Sequence, residues 1–165
     1  MLFRSTYFQR DEYANLLNQL PSQKIRSDYD KRTPGDLAQL TNVFLVNGNI
    51  IMGNGLELYK TPGHSLGHMS IVVPTEKGRY VITGDMPHLS LSLFPMMDSI
   101  QMLDGSFVKI TPMPQHLPFM FNSMIYDHWA AFDSFNLIKS LAEEFKPKYM
   151  LTGHDPWVIV EHKFG

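Results

Sequence analysis

The chain has 165 residues, of which 44% are hydrophobic and 18% charged, proportions that argue against a wholly disordered protein. With 14 Lys and Arg against 16 Asp and Glu, the net charge of −2 argues against a binder that works by neutralising nucleic-acid phosphates. No apolar run reaches the roughly 18 residues that cross a bilayer, and the charged N-terminus does not form a secretory signal. We therefore expect a single cytoplasmic domain over residues 1–165, with no nucleic-acid or membrane partner.

The first predicted element is a helix over residues 11–20, whose apolar side chains recur at helical spacing and which Pro21 stops. The polar residues 22–35 indicate a surface loop. Short strands are then predicted at 41–46, 50–52 and 56–60, and the Asn-Gly sequences between them favour tight hairpin turns.

A second pair of strands is predicted at 69–73 and 79–83, around a turn at 75–78. Residues 86–122 are rich in Met, Pro, Phe and Leu without a clear period, which suggests a long loop packed over a pocket.

The last part of the chain is predicted to alternate between helix and strand. A helix begins after Asp127, which we expect to be its N-cap, and Lys146-Pro147 ends it. Its apolar stripe is formed by Ala131, Phe135, Ile138, Ala142 and Phe145. Strands follow at 149–152 and 157–160. The whole pattern predicts an α/β or α+β layered fold.

Three of the predicted strands end in a glycine that a metal-ligating side chain follows. The first leads to Gly63-His64, within the run Thr61-Pro62-Gly63-His64-Ser65-Leu66-Gly67-His68; the second leads to Gly84-Asp85 and the third to Gly153-His154. A rigid sheet fixes the direction of side chains at its strand ends, so such positions suit a site. Each motif taken alone is also typical of a turn with a solvated polar residue.

The absence of cysteine leaves only histidine and carboxylate to hold a metal, and 7 histidines are present. Two imidazoles and a carboxylate suit Zn²⁺, with other divalent metals as alternatives. A carboxylate can bridge two ions through its two oxygens, which makes Asp85 the candidate for a shared ligand.

The order of these segments resembles the metallo-β-lactamase superfamily, and within it the N-acyl homoserine lactonase group. The run 61–68, the segment Thr83-Gly84-Asp85 and the segment Gly153-His154-Asp155-Pro156 are similar to three of its metal motifs, and residues 9–13 resemble a helix start of the lactonase group. The resemblance spans about residues 7–160. It implies the second half of an αββα sandwich.

The resemblance also implies roles for individual residues. His64 and His154 are implied to be metal ligands, and Asp85 the bridge between two divalent ions, taken to be zinc. His88 lies where lactonases place a residue that faces the substrate carbonyl, although an ordinary loop histidine is an equal alternative. His68 is either a residue that supports the ligands or a buried, hydrogen-bonded turn histidine.

The remaining histidines, His116, His128 and His162, are isolated in the sequence, and we assign none of them to metal. Asp155 and Pro156 are expected to shape the turn after His154.

The chain departs from the superfamily pattern in one respect: it contains no His-x-His-x-Asp-His motif. We therefore expect these residues alone to bind metal weakly and to have little or no activity, as a truncated half of a lactone or ester hydrolase. Phosphotriester or thioester hydrolysis and a non-catalytic binding module are the alternatives. Half a sandwich exposes apolar strand faces, so we expect self-association or a complementing N-terminal half.

Overall fold

The computed structural model describes residues 5–102, 104–114, 119 and 124–155. The helices are α1 (Arg10–Leu17), α2 (Pro21–Arg26), α3 (Thr33–Leu37), α4 (Ser90–Leu93) and α5 (His128–Leu141), with 3-10 turns at Gly53–Gly55 and Pro147–Tyr149. The strands are β1 (Thr6–Gln9), β2 (Val43–Val46), β3 (Ile50–Ile51), β4 (Glu57–Lys60), β5 (Met69–Thr75), β6 (Gly78–Gly84), β7 (Ser99–Gln101), β8 (Phe107–Lys109) and β9 (Met150–Thr152). The fold is thus of the mixed α and β type that the sequence predicts.

A five-stranded sheet with the order β3-β4-β5-β6-β9 forms the centre of the fold. The pairs from β3 to β6 are antiparallel, whereas β9 returns to lie parallel to β6. The predicted strands 56–60, 69–73, 79–83 and 149–152 all lie in this sheet, which confirms them apart from end residues; residues 157–160 lie outside the described part of the chain.

Helix α5 covers one face of the sheet. Val72, Val81 and Met150 are paired across three strands and are fully buried. The predicted stripe of α5 packs on them, with Ala131, Phe135 and Ile138 at most 1% exposed. Asp127 is the N-cap, as predicted, because its carboxylate accepts hydrogen bonds from the backbone of Trp129 and Ala130 at 3.0 Å.

The predicted C-terminal end of α5 is wrong by one turn. The helix ends at Leu141, and Ala142 already has extended backbone angles. Phe145 still packs on the core, where its ring stacks on Phe94 at 4.5 Å between centroids. An apolar side chain can therefore keep the helical period and join the core without belonging to the helix.

The opposite face of the sheet carries a row of aliphatic side chains. Leu58, Ile71, Ile82 and Leu151 are paired across β4, β5, β6 and β9. Leu58 is buried, but Ile82 is 38% exposed although it lies on a central strand. This aliphatic row is therefore covered much less than the face under α5.

The N-terminal part differs most from the sequence prediction. Residues 22–35 are not one surface loop, because they contain most of α2 and of α3. Pro21 follows the end of α1 but begins α2, since a proline fits the first turn of a helix, where no intrahelical donor is needed. The strand β1 was not predicted; it pairs in parallel with β2 in a separate two-stranded sheet.

The two glycine-rich connections also differ from each other. Residues 47–49 join β2 and β3, which belong to different sheets, so the predicted hairpin turn there is wrong. The 3-10 turn Gly53–Gly55 does close an antiparallel hairpin between β3 and β4. The predicted long loop at 86–122 contains α4 and the β7–β8 hairpin within its described residues.

In the described part of the chain, no helix is long and apolar enough to cross a membrane.

Candidate metal centre

The three predicted ligand segments meet at one edge of the central sheet. Strands β4 and β6 both run antiparallel to β5, so they point the same way, and β9 is parallel to β6. The carboxyl ends of the three strands therefore lie on the same side. His64 lies in the turn that follows β4, Asp85 directly follows β6, and His154 lies two residues after β9.

Asp85 stands between the two histidines and presents one oxygen to each. His64 Nε2 is 3.5 Å from Asp85 Oδ2, and His154 Nε2 is 3.1 Å from Asp85 Oδ1. The exposed fractions of the side chains are 24% for His64, 40% for Asp85 and 55% for His154, so the group is open to solvent on the His154 side.

His88 joins the same group from the segment between β6 and α4. Its ring lies edge-on to that of His64 at 5.0 Å between centroids and stacks on that of His154 at 4.7 Å. Donor atoms of His64, Asp85 and His88 all lie within 4.8 Å of one another, close enough for one metal ion. The sequence prediction gave His88 two equal alternatives, a position facing the substrate carbonyl or an ordinary loop position. Its spacing of three residues after Asp85 was the only sequence signal that placed it near the site.

His64 is oriented by its second ring nitrogen. Its Nδ1 lies 3.2 Å from the backbone oxygen of Met124, to which it can donate, and this leaves the lone pair of Nε2 directed towards Asp85. A metal-binding histidine is typically held in this way by a hydrogen bond from its other nitrogen.

His68 fits both alternatives that the sequence left open, because it is a hydrogen-bonded turn histidine that also supports Asp85. The backbone N–H of Asp85 donates to His68 Nε2 at 3.1 Å, so the proton of the neutral ring is on Nδ1, which donates to the backbone oxygen of Thr61 at 3.1 Å. Burial, and next the neighbouring His64, lower the pKa of His68 to about 4. His68 thus stays neutral near pH 7 and fixes the backbone of Asp85.

Asp155 is buried behind the turn that carries His154. Its Oδ2 accepts from the backbone N–H of Ser90 at 2.6 Å and from the hydroxyls of Ser90 and Thr152. Burial is the main cause that raises the pKa of Asp155. The backbone N–H of His154 donates to the backbone oxygen of His88 at 2.9 Å, so the two histidine segments are joined directly as well.

Gly153 leaves room for this close approach. A Cβ atom at this position would lie 2.7 Å from Asp85 Oδ1 and 2.8 Å from the backbone oxygen of Gly84. A larger residue would therefore displace the carboxylate from between the histidines.

The group has the chemistry that a borderline divalent ion prefers. Imidazole nitrogen and carboxylate oxygen are ligands of Zn²⁺ and of similar metals, and no soft sulfur ligand is needed. His64 also borders a cleft of about 250 Å³ whose wall includes Arg26, Tyr29 and Met124.

Among the described residues, His128 is not part of this group. His128 is exposed at the start of α5, whereas His116, His162 and also Pro156 lie outside the described residues.

Solved structures share this fold, although no protein-family model and no curated protein matches the sequence. The AiiA mutant F107W of B. thuringiensis, with N-decanoyl-L-homoserine bound at its active site, superposes with a TM-score of 0.58 at 23% identity, over 90% of this chain and 46% of that one. A quorum-quenching N-acyl homoserine lactone hydrolase gives 0.59 at 23% identity, over 90% and 48%.

A probable metal-dependent hydrolase from Staphylococcus aureus is a third match, with a TM-score of 0.51 at 16% identity over 82% of this chain and 38% of that one. The chain spans half or less of the length of these structures. The chain has the fold of metallo-β-lactamase-type hydrolases, as the sequence resemblance indicated.

Proposed function

We propose that this chain is part of a metal-dependent hydrolase that cleaves a lactone or a related ester. The observation that carries the proposal is the convergence of His64, Asp85 and His154 at one sheet edge, with the carboxylate between the two imidazoles. The likeness to lactone hydrolases adds support at the level of the fold.

The proposed ligands are His64 and His154, each on its own side of the bridging Asp85. Zn²⁺ is the metal we propose, since histidine and carboxylate suit it. A bound divalent ion supplies Lewis-acid chemistry, lowering the pKa of water and polarising a carbonyl group. His88 lies beside Asp85, within reach of a carbonyl oxygen placed there.

The active form is proposed to include a partner that supplies the remaining ligands. In this scheme the chain offers only two ligands on the His154 side, His154 itself and the shared Asp85. A catalytic zinc ion has three protein ligands, so one more is needed there. A complementing N-terminal half would add these ligands and cover the aliphatic row. For residues 1–165 alone we propose a low residual activity.

The test is hydrolysis of an N-acyl homoserine lactone by residues 1–165 with Zn²⁺, followed by titration of the released acid. The chain should exceed Asp85→Asn by at least about tenfold, because losing a ligand costs at least as much as losing a residue that supports one. His128→Ala is the matched control and should equal the unaltered chain. Equal rates for the unaltered chain and Asp85→Asn would contradict the proposal, and faster turnover of a phosphotriester or a thioester would change the substrate class.

A further inference from the structure

His88 lies closer to His64 and Asp85 than a residue that only faces the substrate needs to lie. Three donor atoms, one each from His64, Asp85 and His88, lie within 4.8 Å of one another. We propose that His88 is a direct metal ligand, so that this chain by itself holds one divalent ion through these three residues. The inference rests on the proposed metallohydrolase function and replaces the carbonyl-facing role of His88.

The spacing of the donors agrees with such a site. With metal–ligand distances of about 2.0–2.2 Å, two donors of a tetrahedral zinc ion are separated by about 3.4 Å. The distance of 3.5 Å between His64 Nε2 and Asp85 Oδ2 already has this value. The remaining donor separations are at most 4.8 Å, so they need to shorten by up to about 1.4 Å, which rotation of the histidine side chains can supply.

The orientation of the rings separates His88 from His154. The planes of His64 and His88 are inclined at 73°, so their nitrogens can approach one point from two directions. His88 and His154 are instead stacked at 20°, and His154 contacts the other oxygen of Asp85 at 3.1 Å. An ion on the Oδ2 side would therefore be held by His64 and His88, whereas His154 would serve the Oδ1 side.

The backbone around His88 is held firmly enough to place a ligand. Its carbonyl oxygen accepts from the backbone N–H of His154, and the Ser90 backbone N–H two residues later donates to Asp155. On the other side, the oxygen of the buried Pro87 accepts from the hydroxyl of Thr83 at 3.4 Å. The flanks of His88 are thus tied to β6 on one side and to the turn after β9 on the other.

Three protein ligands and an open position are the arrangement of a catalytic zinc site. The chain therefore completes one ion site without the motif that its sequence lacks, whereas the His154 side stays incomplete. This predicts one tightly bound ion per chain and reverses the expectation, stated from the sequence, that these residues alone bind metal weakly.

The experiment is a titration of metal-free residues 1–165 with Co²⁺, followed by the visible absorption of the ion, which becomes intense when its coordination falls from six to four. The variants are His88→Ala, His88→Gln, His64→Ala and His154→Ala, with His128→Ala as the control. Far-UV circular dichroism of each metal-free variant shows whether it is folded, and the Gln variant keeps a polar side chain of similar size if the Ala variant is not.

We expect one Co²⁺ per chain with an intense spectrum, unchanged in His128→Ala. The His88 and His64 variants should bind at least tenfold more weakly with a fainter spectrum, whereas His154→Ala should keep its one ion. The same affinity and spectrum in a folded His88 variant, or no binding by the unaltered chain, would overturn the inference.

The two proposals fail separately. Unchanged Co²⁺ binding in the His88 variants would contradict the role of His88 as a ligand. The hydrolase proposal would then still rest on His64, Asp85 and His154, with His88 facing the carbonyl. Normal Co²⁺ binding without any hydrolysis that depends on Asp85 leaves the metal site standing and removes the hydrolase proposal.

Discussion

Among single residues, Asp155 holds the segments of His88 and His154 together. One of its oxygens accepts from Ser90 on the His88 side and from Thr152 at the end of β9. Both partners are buried, so their donors are shielded from bulk water when the carboxylate is removed. A buried donor without a partner costs about 1–3 kcal/mol.

Asp155→Ala should therefore lower the free energy of unfolding of the metal-free chain by about 1–3 kcal/mol in a urea titration. Asp133→Ala, an exposed aspartate on α5, is the control and should change it by less than about 0.5 kcal/mol. Equal effects of the two substitutions would show that the Asp155 carboxylate does not hold the two segments together.

Tyr29 couples stability to pH on the alkaline side. Its hydroxyl donates to Glu12 Oε1 at 2.7 Å, and burial, followed by this hydrogen bond, raises the pKa of Tyr29 well above its ordinary value. In the unfolded chain a tyrosine ionises near pH 10. Above that pH the unfolded state releases a proton that the folded state keeps, so stability is complete below about pH 10 and falls as the pH rises.

Tyr29→Phe should remove this part of the pH dependence. We expect the urea midpoint of the unaltered chain to fall more steeply between pH 9 and pH 11 than that of the variant, even if the variant is less stable at pH 8. Parallel curves over this range would mean that Tyr29 ionises in the folded state as it does in the unfolded chain.

At the scale of elements, α1 supports the turn that carries His64. Glu12 Oε2 accepts from the backbone N–H of Gly67 at 2.7 Å. The approach is so close that a Cβ atom on Gly67 would lie 2.3 Å from Glu12 Cβ and 2.9 Å from the backbone nitrogen of Glu12. The second contact is with backbone, so only a movement of α1 or of the turn could relieve it.

Gly67→Ala should therefore destabilise the chain by about 1–3 kcal/mol, the usual cost of overpacking, and should weaken Co²⁺ binding because His64 is in the same turn. Gly35→Ala is the matched control: the position lies in α3 with nothing within 4 Å of an added Cβ, and alanine favours a helix. Thermal unfolding and Co²⁺ titration measure both effects, and a neutral Gly67→Ala would show that α1 does not support the turn.

The elements that the sequence could predict are those with a long or self-contained signal. Helix α5 has a repeating apolar stripe and a capping aspartate, and β5 and β6 flank a short turn, so local rules suffice. Helices α2 and α3 have only six and five residues, too few to show a period. Strand β1 depends on a partner, β2, that lies more than 30 residues away.

The same contrast holds at the candidate site. His64, Asp85 and His154 each follow a predicted strand, and strands that run the same way in one sheet bring their ends together. The position of His88 depends instead on how an irregular segment packs against the turn after β9, through the hydrogen bond from His154 and the carboxylate of Asp155. Contacts of this kind produce no periodic pattern in the sequence. The sequence alone therefore could not predict that His88 lies beside His64.

In the whole molecule, the central sheet is covered unequally on its two faces. Helix α5 buries Val72, Val81 and Met150 on one face, whereas the aliphatic row of Leu58, Ile71, Ile82 and Leu151 lies on the other. Ile82 in this row is 38% exposed although β6 is flanked by strands on both sides. Covering this apolar surface with another surface is favourable, because the apolar side chains are then removed from water.

Residues 1–165 alone should therefore associate through this row, with a sedimentation coefficient that rises with protein concentration. Ile82→Lys should weaken the association at least about tenfold, because a charge buried between two apolar faces loses its hydration. Ile25→Lys is the matched control, since Ile25 is 84% exposed on α2, and it should associate as the unaltered chain does. Equal association of the two lysine variants would place the contact elsewhere, and a complementing half that binds the unaltered chain but not Ile82→Lys would identify the row as its docking face.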